Sequence, residues 1–285
     1  MTAVTHPLRN RTRRSRGRAA RRMGFYLLLA LVLAPFLFVF AYMVTTSFKS
    51  PLDINAPTFQ WLFTPTLDNY REVIFGTDFV EFTVNSLLVA AGSTAIALLL
   101  GLPAAFAIAR YDAPRLGAII LSSRITPGIT FLIPWFIIFS RIGWIDSYRA
   151  LILSHLLVNL PLVTWLMISF FEDVSDELID AASVDGASAI RTFISVVLPV
   201  TKGGIASAAI LGFIFSWNNF LFSVVIAGRS TRTLPVAVFE FMSYGSINWG
   251  AIAAAATVMT LPVIVLALIV QRHIVEGLSG GAIKG

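Results

Sequence analysis

Six residues stand out because their side chains can bind or react where most of their neighbours cannot: Arg124, His155, Asn159, Trp217, Asn218 and Asn219. His155 and Asn159 are one helical turn apart, close to Pro161, whose ring frees a backbone carbonyl in a helix. Hydrolysis inside a membrane needs a nucleophile–base pair or a metal cluster. No base partner for His155 is identifiable, so a local hydrogen-bond cluster is the expectation, and no residue is assigned a catalytic role. The chain has no cysteine, and His6, His155 and His273 are too far apart in sequence for metal-ligand spacing, so no metal site is expected. Trp217, Asn218 and Asn219 combine an aromatic face with amide donors and acceptors. That set suits the apolar ring face and hydroxyls of a sugar-like solute. It equally suits hydrogen bonding between helices. Arg124 has no acid in any apolar run to pair with. It can reach an interface, bind carbonyls freed near Pro127, or face a solute pathway.

The elements that must position these residues follow from composition. The sequence is 57% hydrophobic and 13% charged. A soluble domain carries roughly 25% charged residues, so a polytopic all-α membrane protein is expected. A helix needs about 20 residues to cross a bilayer core, and six apolar runs qualify: about 25–48, 84–109, 116–140, 150–171, 203–228 and 250–271. Eight arginines lie between Arg9 and Arg22, directly before the first run. They account for the positive net charge as a topology signal and not as a nucleic-acid face. Residues 1–22 are expected to form a disordered basic cytosolic tail, and residues 23–285 one membrane domain. With both termini cytosolic, fourteen Lys and Arg fall in cytosolic segments and six in outer loops. That asymmetry follows the positive-inside rule.

One segment breaks the apolar pattern. Residues 172–204, between the fourth and fifth runs, form an acid-rich loop on the cytosolic side. Ser175 can cap a helix with Asp176 and Glu177 in its first turn. Leu178, Ile179 and Ala182 then share a face, and Gly186 ends or bends this piece. A second piece begins near Ser188, with Ile190, Phe193, Ile194 and Val197 at helical spacing, and Pro199 ends it. Two short helices hinged at a glycine make a knob for a partner's groove, or an amphipathic element lying on lipid headgroups.

Asp180-Ala181-Ala182, then Gly186, then nine residues, then Val196-x-Leu198-Pro199, resembles the signature loop of ABC-importer membrane subunits. That signature reads Glu-Ala-Ala, three residues, Gly, nine residues, Ile-x-Leu-Pro, so Asp180 and Val196 are conservative departures. Asp185-Gly186-Ala187 resembles the sugar-importer form. Asp68-Asn-Tyr-Arg71, Arg124-Ile-Thr-Pro127 with Leu132-Ile-Pro134, Ser216-Trp-Asn218 with Phe220, Thr233-Leu-Pro235, Asn248-Trp-Gly250 and the Gly281–Gly285 ending extend the likeness over about residues 25–285. The whole is similar to maltose-type carbohydrate permeases, in particular their smaller, second subunit. The resemblance implies a six-helix permease of a bacterial inner membrane that is not itself an enzyme. It implies pairing with a homologous permease, docking on two ATP-binding subunits, and delivery of a sugar or polyol by a periplasmic or surface solute-binding protein. Asp180, Ala181, Ala182, Asp185, Gly186 and Ala187, with Leu198 and Pro199, would couple to an ATP-binding subunit. Trp217, Asn218, Asn219 and Arg124 stay the solute-pathway candidates on their side-chain chemistry alone, since in the maltose-type family the sugar can be held mainly by the other permease. ATP and Mg would be held by the partner ATPase, with no cofactor in this chain. The sequence has no Gly-x-x-x-x-Gly-Lys-Ser/Thr phosphate loop, which agrees with that division. The rival readings are a stand-alone secondary transporter or channel, and an intramembrane enzyme. An ion-coupled carrier usually needs buried acids, and no apolar run holds one.

Overall fold

The computed structural model of the chain describes residues 11–58, 60–123, 125–243 and 246–281. Arg124 therefore lies outside the described residues, as do positions 1–10 and the last four residues. The first helix, α1, spans Arg11–Ser47. The disordered tail expected over 1–22 is thus helical from Arg11 onward. Once the apolar run has nucleated a helix, each further residue adds one hydrogen bond, and Arg and Ala extend it at little cost. After α1 come the short helices α2 (Pro51–Ile54) and α3 (Asp68–Phe75), then the long α4 (Phe79–Arg110).

The third expected span, 116–140, is not one helix. It is split into α5 (Pro114–Ser122), a tight turn of helix at Gly128–Phe131 and α6 (Leu132–Arg141). Pro127 cannot donate to the helical ladder and disfavours helical backbone at the residue before it. The chain then forms α7 (Tyr148–Glu172) and the loop helices α8 (Asp176–Val184) and α9 (Ala189–Thr192). A wide π turn at Phe193–Val197 leads into α10 (Leu198–Val200). The backbone bends by 80° before α11 (Lys202–Trp217). The fifth expected span, 203–228, is also interrupted, continuing after a break as α12 (Leu221–Ile226). Asn218 Nδ2 donates back to the Ile214 carbonyl, and Asn219 Oδ1 accepts from the Phe222 N–H. Those side chains end one helix and start the next. Helix α13 (Leu234–Ala237) and a two-residue antiparallel hairpin, β1 (Met242–Ser243) with β2 (Ser246–Ile247), precede α14 (Trp249–Gly281).

Among the described residues, four helices are long and apolar enough to cross a membrane: Arg21–Ser47, Phe79–Arg110, Tyr148–Glu172 and Trp249–Gln271. The bent pair Ala189–Val200 and Lys202–Trp217 makes a fifth if counted as one span. At 1.5 Å per residue α11 covers roughly 24 Å, less than the 30 Å core. The expected six spans are therefore not six unbroken helices.

Helices α4, α7, α11 and α14 form the body, with α4 against α7 the most extensive contact. Their facing surfaces are built from small residues: Ala90, Ser93 and Ala97 on α4, Ala208 and Gly212 on α11, and Ala251, Ala254 and Ala255 on α14, all buried. Lipid supplies no hydrophobic drive between helices, so close backbone approach has to supply the attraction. These small residues thus pack within this chain. Helix α1 presents large apolar side chains along its length, including Leu27, Leu31, Phe36 and Phe38, each more than half exposed. A surface of that kind is stable in contact with hydrocarbon and not in water.

Candidate functional site: the hinged loop between the fourth and fifth spans

The loop holds the shape read from its sequence. Ser175 accepts a hydrogen bond from the Glu177 N–H, and Ser188 accepts one from the Arg191 N–H, so both helices carry side-chain caps. Between them the Gly186 N–H donates to the Ser183 carbonyl, and the Ala187 N–H to the Ala182 carbonyl. That pair of bonds is a Schellman motif with Gly186 at its left-handed position, φ +78°. It accounts for two fixed spacings at once. A glycine is needed four residues after Ala182, and Ala182 supplies the carbonyl that closes the turn.

The root of the loop is seated in the membrane body. Phe193 packs against Phe106 of α4 and Phe171 of α7, with ring centroids 5.0 and 6.1 Å apart, and Phe106 meets Phe171 edge-on at 5.9 Å. Ile179, Val174 and Val197 are buried in the same cluster. Arg110, the last residue of α4, reaches Asp176 at 3.0 Å and Asp180 at 3.7 Å. Both carboxylates are largely exposed, so these pairs contribute at most about 1 kcal/mol. Their effect is to orient α8 on the end of α4.

The outward face is different. Asp180, Ala181, Asp185, Gly186 and Pro199 are exposed, while Ala182, Ala187 and Leu198 are partly covered. Val184 is 88% exposed and Ile190 72%. The expected apolar face of Ile190, Phe193, Ile194 and Val197 is therefore divided. Phe193 and Val197 turn inward, whereas Ile190 and Ile194 stand outside. Phe193 and Val197 lie on one edge of the helical stripe and Ile190 and Ile194 on the other, and the first edge is the one packed on the body.

The solute-pathway candidates are placed less favourably. Trp217 is 3% exposed, and its indole N–H donates to the Met259 carbonyl of α14 at 3.1 Å, with Phe213 stacked on the ring. It is a packing residue here, not a solute-facing one. An indole with its N–H satisfied is a favourable helix-bridging group, and the small residues of α14 leave room for it. Asn218 is exposed and Asn219 partly so, with the amide bonds described above.

His155 and Asn159 do not bond each other directly. They terminate a buried chain across three helices. Asn159 Nδ2 donates to Ser93 Oγ (3.0 Å), Ser93 Oγ to Ser216 Oγ (2.9 Å), and Ser216 Oγ lies 2.7 Å from His155 Nδ1. The hydrogen-bond cluster expected at these two residues is present, and it is larger than expected. Its serines are polar positions inside apolar runs, a signal available in the sequence.

A clasp with no local mark in the sequence lies at the opposite end of the molecule. Asp146, in the turn before α7 at φ +60°, accepts from the N–H groups of Gly228, Ser230 and Thr231 and from the Thr231 hydroxyl, at 2.8–3.2 Å. Burial alone would raise the Asp146 carboxyl. The Thr231 hydroxyl and the three backbone donors outweigh it and hold the group below its ordinary 3.8. Asn85 binds the Ser230 and Arg232 carbonyls and receives the Tyr148 hydroxyl, and Ser86 accepts from the Leu234 N–H. Farther along, Asn69 donates to the carbonyls of Ser47 and Lys49, and Tyr70 OH meets Ser47 Oγ. The motifs around residues 68–71 and 233–235 are thus the joints that tie loops to spans.

The comparisons with known proteins agree with this architecture. Residues 97–280 match the family model described as "Binding-protein-dependent transport system inner membrane component". The chain belongs to that family. It is 38% identical to the trehalose transport system permease SugB of Mycobacterium tuberculosis, over 78% of this chain and 83% of that one. It is 31% identical to the trehalose/maltose transport system permease MalG of Thermococcus litoralis, over 87% and 92%. A solved bacterial ABC transporter involved in import of the acidic polysaccharide alginate superposes with a TM-score of 0.71 at 20% identity, covering 94% of this chain and 99% of that chain. That structural likeness bears on fold. As a member of this inner-membrane family the chain is an ABC-transporter permease, a multi-pass transport subunit and not an enzyme.

Proposed function

We propose that this permease forms half of the pathway of an ATP-driven importer for a carbohydrate or polyol, and that the loop at 172–204 is its coupling element to an ATP-binding subunit. The observation carrying the coupling role is the rigid hinge at Gly186. It presents Ala181, Val184, Asp185 and Ile190 outward while Phe193 and Ile179 root the loop on α4 and α7. An exposed apolar tip on a firmly seated base transmits displacement in both directions. The carbohydrate class is supported by the trehalose and trehalose/maltose permeases that the chain resembles. The full assembly in this reading contains a homologous second permease, two ATP-binding subunits holding ATP and Mg, and a solute-binding protein on the far side. Both termini and the loop face the cytosol. Asn218 and Asn219, at the break in the fifth span, are the pathway residues consistent with their exposure, and Arg124 is a further candidate. Trp217 supports them from behind.

The test is reconstitution. The permease, its co-purifying subunits and the solute-binding protein are placed in proteoliposomes and sugar uptake is followed. Uptake that requires ATP and the binding protein supports the proposal. Uptake by this chain alone without ATP would instead establish a stand-alone carrier.

A further inference from the structure

His155 touches the fifth span on both sides of its break. On the α11 side, Ser216 Oγ lies 2.7 Å from His155 Nδ1. On the α12 side, the buried Phe222 ring stands 6.4 Å from the imidazole centroid, tilted by 43°. Between the two contacts lies the break at Asn218–Phe220. The direction of the hydrogen bond follows from the chain that feeds it. Asn159 Nδ2 can only donate, so Ser93 Oγ accepts there and donates to Ser216 Oγ. The one proton of Ser216 Oγ then goes to Nδ1, and His155 is the acceptor that ends the chain.

The backbone closes this into a circuit. The Ser216 carbonyl accepts from the Asn219 N–H at 3.1 Å, and Asn219 Oδ1 accepts from the Phe222 N–H. Phe222 then returns to His155 through its ring. The same ring reaches the third span, because a Cβ at Gly128 would stand 3.8 Å from Phe222 Cζ. The breaks of the third and fifth spans therefore meet at one side chain. Farther out, α12 is anchored where the Ile226 carbonyl accepts from the Asp146 N–H, and α11 where Trp217 donates to the Met259 carbonyl. The bend between those anchors is set by the circuit through His155. Burying an imidazole costs more than burying a phenyl ring. What the imidazole supplies beyond a phenyl is the acceptor for Ser216.

We propose that His155 is a positioning residue for the solute pathway. It fixes the bend between α11 and α12, and with it the place of Asn218 and Asn219. The pathway role rests on the reading of those two amides given above; the joint itself does not.

Hydrogen exchange of the full-length chain with its co-purifying subunits, read by mass spectrometry, reports opening of the joint. His155→Phe keeps a ring against Phe222 and removes the acceptor. It should speed exchange over residues 218–222 about fivefold, the effect of one lost hydrogen bond, and leave α4 and α14 unchanged. Ser216→Ala should do the same and serves if His155→Phe inserts poorly. The two together should speed exchange no more than either alone, because they remove one interaction. His155→Asn places an amide oxygen where Nδ1 stood and should stay near the wild type. The melting midpoint separates positioning from stability. The double variant leaves neither the Ser216 hydroxyl nor the imidazole unpaired, and Ser93 Oγ can turn to the Ala90 carbonyl 3.3 Å away. Its midpoint should recover while exchange at the joint stays fast. Recovery of both together overturns the proposal, as does unchanged exchange in His155→Phe and Ser216→Ala. Asn218→Cys tests the pathway reading separately, in a chain with no cysteine of its own. A charged methanethiosulfonate reagent should label it, and adding His155→Phe should change the labelling rate several-fold. No labelling in either background refutes the pathway reading, whatever the exchange shows. Equal labelling in both refutes His155 as the residue that positions the amides.

Discussion

Replacing Gly186 is the perturbation whose size follows most directly from backbone geometry. Its φ of +78° is left-handed, and nothing lies within 4 Å of where a Cβ would be placed. The cost of a side chain is therefore conformational and not steric. Gly186→Ala costs about 1–2 kcal/mol, a fivefold or greater loss in the population holding the Ala187–Ala182 turn. Gly186→Asn costs less, because asparagine tolerates this region. Gly186→Pro cannot adopt the conformation at all, since its φ is locked near −65°, and it also deletes the N–H that bonds Ser183. The expected order of ATP-driven uptake is Gly above Asn, Asn above Ala, and Ala above Pro, with Pro near zero. Uptake is measured in proteoliposomes normalised to inserted permease, alongside solute binding by the delivery protein, which stays unchanged throughout. Wild-type uptake by a fully inserted Gly186→Pro variant refutes the reasoning. An Asn variant as impaired as the Pro variant would also refute it, because bulk rather than φ would then be the cause.

The remaining expectations concern the body and the far end. Ser216→Ala leaves His155 Nδ1 without its partner in a buried chain and should cost about 1–3 kcal/mol, read as a lower melting midpoint in detergent, whereas Ser122→Ala at an exposed site should be near neutral. Trp217→Phe removes the bond to the Met259 carbonyl and should cost about 1 kcal/mol while leaving solute preference in uptake competition unchanged; altered preference would return Trp217 to the pathway. Gly228→Ala places a Cβ 2.5 Å from the Asp146 carboxylate, so it should open the clasp, and Asp146→Asn should weaken it by about 1.5–3 kcal/mol. Because the folded Asp146 carboxyl lies below its ordinary 3.8, the ionised clasp contributes fully above about pH 4. That contribution is lost only as pH falls through the lower folded value, so the stability difference between wild type and Asp146→Asn should be flat near neutrality and shrink in acid.

Local chemistry was legible in the sequence where it was self-contained. Both loop caps, the hinge at Gly186 and the four unbroken spans follow from periodicity, capping residues and glycine placement, all of which act within a few residues. What the sequence hid depends on partners far along the chain. The Asp146 clasp joins positions more than 80 residues apart, and nothing local marks Asp146 among other loop acids. An indole beside two amides, as at Trp217, suits a sugar and a helix bridge alike. Its true environment is set by α14, 42 residues later. The breaks in the third and fifth spans were present as Pro127 and Asn218-Asn219, but continuous hydropathy concealed them. The second loop helix shows one apolar stripe in sequence, and which edge of it is buried depends on Phe106 and Phe171, far along the chain.

The central claim is that the exposed tip of the 172–204 loop is gripped by an ATP-binding subunit. The chain has no cysteine, so single introduced thiols report contacts without background. Val184→Cys at the tip is compared with Leu52→Cys, 87% exposed at the opposite end, each coupled to a short cross-linker in the assembled transporter. The account predicts a permease–ATPase adduct from Val184→Cys that changes in yield on adding ATP, and none from Leu52→Cys. An adduct from Leu52→Cys with none from Val184→Cys would contradict it.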